Sequence, residues 1–355
     1  MEVYEDWPDA AIFRGHIEDF RPFMVTNAKC VYPLDCMLHN DTVVDISRID
    51  SSTGATEFHG DPSKRDFIKA SLSSFVEAFQ ATQTNASHPL TDSSSSSLFL
   101  SQALVYSSDP TQSLSIIPGI GNTLKPPLIL SDSELYESSV WMNLSSSRSA
   151  LHYDGNHNLL TVSQGAKEVI LISPAHTERL APYSAFHETP NHSLKTYEEI
   201  ATFLPQLKVL VNAGSAIFIP EGWWHHVSSL PCTFAVNFWF RSPLHQLQSK
   251  LPHMTPYLLR ANVHALYELF NAEARKTVLA DSALANTKVF SKMLETDFYI
   301  YMEALLLHHG KNPPSNESVP FDFTLCSLVN QKRLWLPFSI IVLLNSAVTL
   351  SFLHE

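Results

Sequence analysis

The sequence predicts a mainly β protein, a sandwich or jelly roll with helices flanking it on both sides. Two observations carry that reading. Between Val140 and Phe240 the chain runs in short apolar, β-rich stretches punctuated by turns, which is the habit of an antiparallel sandwich or barrel. Outside that region apolar residues recur at helical spacing. The 355 residues suffice for one large core or two modest ones. We divide the chain into an N-terminal α/β region (1–130), a β core (131–245), a helical region (246–312) and a tail (313–355).

In the first region Phe23-Met24-Val25 and Val43-Val44-Asp45-Ile46 read as strands. From Ser63 to Phe79 the apolar positions Phe67, Ile68, Leu72, Phe75, Val76 and Phe79 fall on one helical face, with Asp61-Pro62 as its cap and first-turn proline. Residues 84–97 are polar, end in the run Ser93 to Ser97, and read as a loop. Asp109 to Leu130 carries Pro110, Pro118, Pro126 and Pro127 and is expected to cross one mouth of the barrel as an extended segment.

The β core offers Val140–Leu144, Leu151–Tyr153, Leu159–Val162, Val169–Ile172, Val209–Val211, Ala216–Ile219 and Phe234–Phe240 as strands. Gly165 sits between two apolar runs and suggests a hairpin. Residues 175–208 form an insertion with a short helix near Thr196–Phe203. Beyond Pro243, Leu258, Leu259, Ala265, Leu266, Leu269 and Phe270, then Val289, Phe290, Met293, Leu294, Tyr301, Met302 and Leu305, outline two helices with apolar stripes. Unless both pack on the barrel, they would pair two copies as a homodimer. The tail holds Leu334 to Leu353, twenty uncharged residues preceded by Lys332-Arg333, long enough for a membrane anchor. Pro337, Asn345 and several hydroxyl residues favour the alternative, a buried helix.

Composition narrows the function. With 23 basic against 35 acidic residues the net charge is -12, which disfavours nucleic-acid binding and favours a basic protein partner. Four cysteines, Cys30, Cys36, Cys232 and Cys326, show no metal-type spacing, as in a reduced intracellular protein of cytoplasm or nucleus. The acidic start, Met1 to Asp6, lacks the apolar stretch of a signal peptide.

The chemistry is concentrated in His152-Tyr153-Asp154. On a strand, positions two apart project from one face, so an imidazole and a carboxylate stand side by side. A distant histidine would complete a facial triad of two His and one carboxylate, the non-haem Fe(II) arrangement that leaves open metal positions. His225 and His226, about seventy residues on, are the two candidates. An H-x-D pair alone is common, and the surrounding text is more specific. Ser149-Ala150-Leu151-His152-Tyr153-Asp154 precedes Asn158-Leu159-Leu160-Thr161-Val162, Gly165-Ala166-Lys167 and Glu168 to Pro174. Later come Asn212 to Pro220, Glu221-Gly222-Trp223-Trp224-His225-His226, and Thr233 to Phe240.

In this order and spacing, from about Val140 to Pro243, the text resembles the JmjC family of Fe(II)- and 2-oxoglutarate-dependent oxygenases, and among them the small JmjC hydroxylases such as the asparaginyl hydroxylase of hypoxia-inducible factor. Phe20 to Val25 resembles the strand that leads into such domains. The resemblance implies a double-stranded β-helix and the cofactors Fe(II), 2-oxoglutarate and O2. It selects His225, which directly follows the Trp pair, as the third ligand beside His152 and Asp154. It implies Lys167 as the anchor for the distal carboxylate of 2-oxoglutarate, Ser149 as a hydrogen-bond partner of that carboxylate, and Asn158 and Asn237 as residues lining the co-substrate pocket; Thr161 is a weaker candidate. Hydroxylation of a protein side chain is the expected outcome. Lysine demethylation is the alternative, followed by RNA hydroxylation and a catalytically silent cupin-like binding module.

Overall fold

A computed structural model describes residues 1–50, 66–92, 96–109, 117–131, 134–183, 187, 189–240 and 252–254, with the single positions 257, 260, 261 and 264. The architecture is two antiparallel-rich sheets. The larger, in spatial order, consists of β1 (Glu2–Tyr4), β2 (Phe23–Val25), β12 (Ala216–Ile219), β9 (His157–Gln164), β14 (Thr233–Phe240), β6 (Leu135–Asn143), β5 (Ser96–Ser107), β3 (Val43–Asp50) and β4 (Asp66–Ser71). The smaller runs β11 (Leu207–Asn212), β10 (Ala166–Ile172), β13 (Trp224–Ser229) and β7 (Ser147–Arg148), with β8 (His152–Tyr153) also paired to β13. The helices are α1 (Ala10–Glu18), α2 (Asp35–Leu38), α3 (Leu72–Gln83), α4 (Pro89–Asp92) and α5 (Tyr197–Ile200).

Alternation along the strands explains the layers. Leu159, Phe218, Phe234, Val236 and Phe238 share one buried cluster with Phe13 of α1 and Phe75, Val76 and Phe79 of α3. Their chain neighbours Leu160, Ile217, Ile219 and Ala235 belong to a second cluster with Val169 and Leu171 of β10 and Val211 of β11. The large sheet is therefore covered on both faces, by helices on one side and by the small sheet on the other. That is why β9, β12 and β14 read as continuous apolar runs instead of alternating ones. The N-terminal strands β3, β4 and β5 extend the same sheet beyond β6.

Four expectations change in the structure. Phe67 and Ile68 lie on β4, paired with Ser47 and Ile46 of β3; the helix begins only at Leu72, capped by Ser71, whose hydroxyl accepts from the Ser74 amide. Spacing alone could not separate these two apolar residues from the helical set that follows, and pairing with β3 decides it. Ser96 and Ser97, at the end of the expected loop, already belong to β5, a twelve-residue strand. In the proline-rich segment, expected to be extended, the chain turns at 118–119, 121–123 and 128–129, with Ile117, Ile120, Leu124 and Leu130 buried in the first cluster. Finally, the runs flanking Gly165 do not pair with each other: β9 pairs with β12 and β14, β10 with β11 and β13. Gly165 is the corner at which the chain passes from one sheet to the other.

The two helices expected in the C-terminal region, the homodimer contact expected of them, and the apolar stretch 334–353 lie outside the described residues. Among the described residues no helix is long and apolar enough to cross a membrane.

Gly165 has φ 72°, and a Cβ there would lie 2.5 Å from the Thr233 hydroxyl oxygen and 2.8 Å from the Cys232 carbonyl. Backbone strain and steric overlap act together. Gly165→Ala is expected to destabilise the fold by about 2 kcal/mol or more, a drop in Tm of roughly 5 °C by differential scanning calorimetry.

Candidate metal centre and dicarboxylate pocket

β13 brings the polar residues together. Its antiparallel register sets His225 opposite His152 and Trp224 opposite Tyr153 on β8, and on its other edge sets Ser229 opposite Lys167 of β10. Positions 225, 227 and 229 share one face of β13, as 167, 169 and 171 do of β10; Val169 and Leu171 belong to the core cluster between the sheets. The polar inward residues therefore stand at the ends of an apolar wall, His225 at one and Lys167 at the other, roughly 13 Å apart along the strands at about 3.3 Å per residue.

The His152, Asp154 and His225 ligand atoms all lie within 4.8 Å of one another. Asp154 stands between the imidazoles, with Oδ1 3.9 Å from His152 Nε2 and Oδ2 3.8 Å from His225 Nε2. Each ring is oriented the same way. His152 Nδ1 donates to the Ala150 carbonyl at 2.7 Å, and His225 Nδ1 donates to the Trp223 carbonyl at 2.9 Å. Since a carbonyl only accepts, each Nδ1 carries a proton, and Nε2 is the ring atom turned toward the carboxylate, the one placed to ligate a metal. Asp154 is steadied in turn: Oδ2 accepts from Trp239 Nε1 at 3.0 Å and from the Asn158 amide at 3.5 Å. Two imidazoles and one carboxylate form a donor set suited to a divalent metal with open positions. His226 faces the other way, its ring stacked on Tyr197 at 5.0 Å.

A cavity of about 290 Å³ joins this trio to Lys167. Lys167 is 4 % exposed, and its ammonium donates to the Ser229 hydroxyl at 2.7 Å. Among the described residues it has no carboxylate within ion-pair distance, and desolvation pulls its pKa down to about 7. A buried ammonium without a counter-charge is costly, and an anionic ligand would remove that cost. Two further groups lack partners: Asn158 Oδ1 and Asn237 Nδ2 are buried with no hydrogen-bond partner, although Asn237 Oδ1 accepts from Trp141 Nε1 at 2.7 Å. Both asparagines line the cavity. These features fit a short dicarboxylate lying between the metal trio and the lysine.

Ser149 lines the same cavity; its hydroxyl accepts from the Val227 amide at 2.9 Å. Thr161 is absent from the lining and donates instead to the Val236 carbonyl within the large sheet. The cavity also contains residues that sequence reasoning missed: Phe99 and Gln102 of β5, Trp141 of β6, Asn191, His192 and Trp239. His192 stacks on the His152 ring at 5.1 Å and 11°, and Gln102 sits at φ 53° within a bulge of β5 against β6. A bulge re-aims a side chain, and nothing in the local sequence announces one.

A family model described as a cupin-like domain matches residues 9–246, about two thirds of the chain. The chain is 39 % identical over 153 residues to Lysine-specific demethylase JMJ31 of Arabidopsis thaliana, covering 40 % of this chain and 27 % of that protein. It is 32 % identical over 107 residues to Jumonji C domain-containing protein 5 of Drosophila melanogaster, covering 28 % and 26 %. Over 117 residues it is 29 % identical to Lysine-specific demethylase 8 of Xenopus tropicalis, covering 29 % and 24 %. The matched stretch spans about a quarter of the length of these relatives. The extent of the domain match places the chain in the cupin-like domain family.

Proposed function

We propose that this chain is an Fe(II)- and 2-oxoglutarate-dependent oxygenase that hydroxylates a carbon of a protein side chain. The observation that carries the reading is one cavity with a His-Asp-His donor set at one end and a buried, carboxylate-free lysine at the other. Bound there, Fe(II) supplies the oxidation, coupling decarboxylation of 2-oxoglutarate to succinate and CO2 with insertion of one oxygen atom of O2 into a C–H bond.

The protein's own part is placement. His152, Asp154 and His225 hold the metal, with their orientation set by the Ala150 and Trp223 carbonyls and the Trp239 indole. Lys167 pairs with the far carboxylate of the co-substrate, and the Ser229 hydroxyl orients the ammonium. Ser149 donates its hydroxyl proton to the same carboxylate, and Asn158 and Asn237 turn their unpartnered amide atoms to the co-substrate. The apolar wall of Leu160, Ile219 and Val227 excludes water from between them, which strengthens each of these contacts.

The net charge of -12 favours a basic protein substrate. We place the activity inside the cell, in keeping with the free thiols of Cys30, Cys36 and Cys232. Two of the relatives named above carry the name lysine-specific demethylase, so the second reading is demethylation, in which the same hydroxylation falls on an N-methyl carbon and formaldehyde leaves. Incubation of the full chain with Fe(II), 2-oxoglutarate and candidate protein substrates separates the two by mass spectrometry: gain of one oxygen for the first reading, loss of a methylene for the second.

His152→Ala, Asp154→Ala and His225→Ala should each abolish iron-dependent succinate formation, while His226→Ala retains it. Succinate production by His225→Ala with loss in His226→Ala would move the third ligand to His226.

Lys167→Ala should raise the 2-oxoglutarate concentration needed for half-maximal turnover about tenfold to a hundredfold, the worth of a charge-assisted contact of about 1.5–3 kcal/mol. An unchanged titration would put the anchor elsewhere.

The same lysine gives a pH dependence. Its folded pKa is lowered to about 7, so above neutrality the empty pocket holds mostly the amine, whereas a bound carboxylate favours the ammonium. Binding must then take up a proton, and affinity falls as pH rises from about 7, by up to roughly tenfold per unit. Calorimetric titration of the Mn(II)-loaded chain with 2-oxoglutarate in buffers of different ionisation enthalpy reads the proton directly. Affinity that rises with pH would refute the lysine contact.

A further inference from the structure

Tyr257 touches both chain segments that carry the proposed metal ligands. It is 2 % exposed, and its hydroxyl donates a short hydrogen bond to the Glu221 carboxylate. Its ring lies against Gly222 so closely that a Cβ there would meet ring carbons at 2.5 Å. The same ring stands edge-on to Tyr153 at 5.3 Å and 81°. Tyr153 lies between His152 and Asp154. Glu221-Gly222 form the turn that leads through Trp223 and Trp224 into His225.

The turn is fixed from other sides as well. The Gly222 amide donates to the Asp154 carbonyl at 2.9 Å, and the Glu221 amide donates to His157 Nδ1 at 3.0 Å. Gly222 has φ 78°, the left-handed region that favours glycine. Burial pushes the Glu221 carboxyl up to about 8, so the group that Tyr257 bonds is desolvated and costly to leave without a partner. Tyr257, Glu221, Gly222 and Tyr153 do not line the cavity. Their effect on chemistry can come only through the ligand-bearing backbone.

We propose that Tyr257 is a positioning residue, a clamp on the Glu221-Gly222 turn and Tyr153 that fixes the spacing of His225 relative to His152 and Asp154 and so sets metal affinity. The inference rests on the metal reading of the trio and adds to it a residue well outside the motif. Outer contacts that orient ligands commonly change metal affinity tenfold to a hundredfold when removed. Removing the hydroxyl leaves the buried Glu221 carboxyl without its donor, and removing the ring also leaves a void beside Gly222 and Tyr153.

The test is a titration of the full chain with Co(II), followed by its d–d absorption, in wild type, Tyr257→Phe, Tyr257→Ala and Glu221→Gln, with cooperative thermal unfolding as the check on folding. Tyr257→Phe should weaken Co(II) binding at least threefold and shift the d–d bands, and Tyr257→Ala should weaken it about tenfold to a hundredfold. Glu221→Gln should keep near-wild-type binding, because the amide oxygen still accepts from the Tyr257 hydroxyl. Wild-type affinity and spectrum in Tyr257→Phe overturns the clamp, whatever the fate of Tyr257→Ala. Absence of Co(II) binding in the wild type overturns the metal reading and the clamp together, which distinguishes the two failures.

Discussion

Everything at the site depends on how β13 is shared. One edge pairs with β8, placing His225 against His152, and the other pairs with β10, placing Ser229 against Lys167. Register in a sheet is set in steps of one residue, and a one-residue slip would send His226 inward and His225 out. The slip is opposed on both sides. Trp224, fully buried, donates its indole N–H to the Thr177 hydroxyl, and Trp223 donates to the Phe20 carbonyl. The two tryptophans thus hold the strand in its frame from opposite faces, and the imidazole that faces inward follows from that frame.

The second constraint is electrostatic. A double-layered β core buries whatever it encloses, and the cavity between the layers encloses a lysine, two asparagines with unpartnered atoms and three metal-type donors. Such groups would be poor choices for stability alone. Apolar replacements at 158, 167 and 237 would suit the neighbouring Leu160, Val169 and Ala235 better. The polar set makes sense as a surface complementary to a small charged ligand, with part of the fold's stability supplied when that ligand is bound.

How much of this was legible in the sequence follows from the range of the interactions involved. His152 and Asp154 stand two apart on one strand, so their convergence is local, and the motif around Trp224-His225 marks the partner strand. The apolar runs of β9, β10, β12 and β14 are equally local signals. By contrast, Phe67 and Ile68 fit both a helix and a strand, and only pairing with β3 settles which. β5 begins in the serine-rich stretch, where side-chain character argues for a loop. A glycine between apolar runs, as at Gly165, fits a hairpin, but whether those runs pair or part is decided by which sheet each can complete. Gln102, His192 and Trp141 reach the cavity through a bulge, a bridge in the insertion and a neighbouring strand, and none carries a periodic signature.

The hydrogen bond from Trp223 to Phe20 links residues 203 apart in the chain, and β2 likewise pairs with β12 across nearly the whole described length. Topology of this kind closes late. During synthesis the early strands β1 to β5 would emerge long before β12 to β14 exist to join them, and the large sheet would wait half-built with its central positions empty. Long-range pairing makes folding slow and leaves apolar edges open in the interval. The residues of α1 and α3 that cover one face, Phe13, Phe75, Val76 and Phe79, precede in the chain every strand from β5 onward, so the cover of that face is synthesised before the strands at its centre.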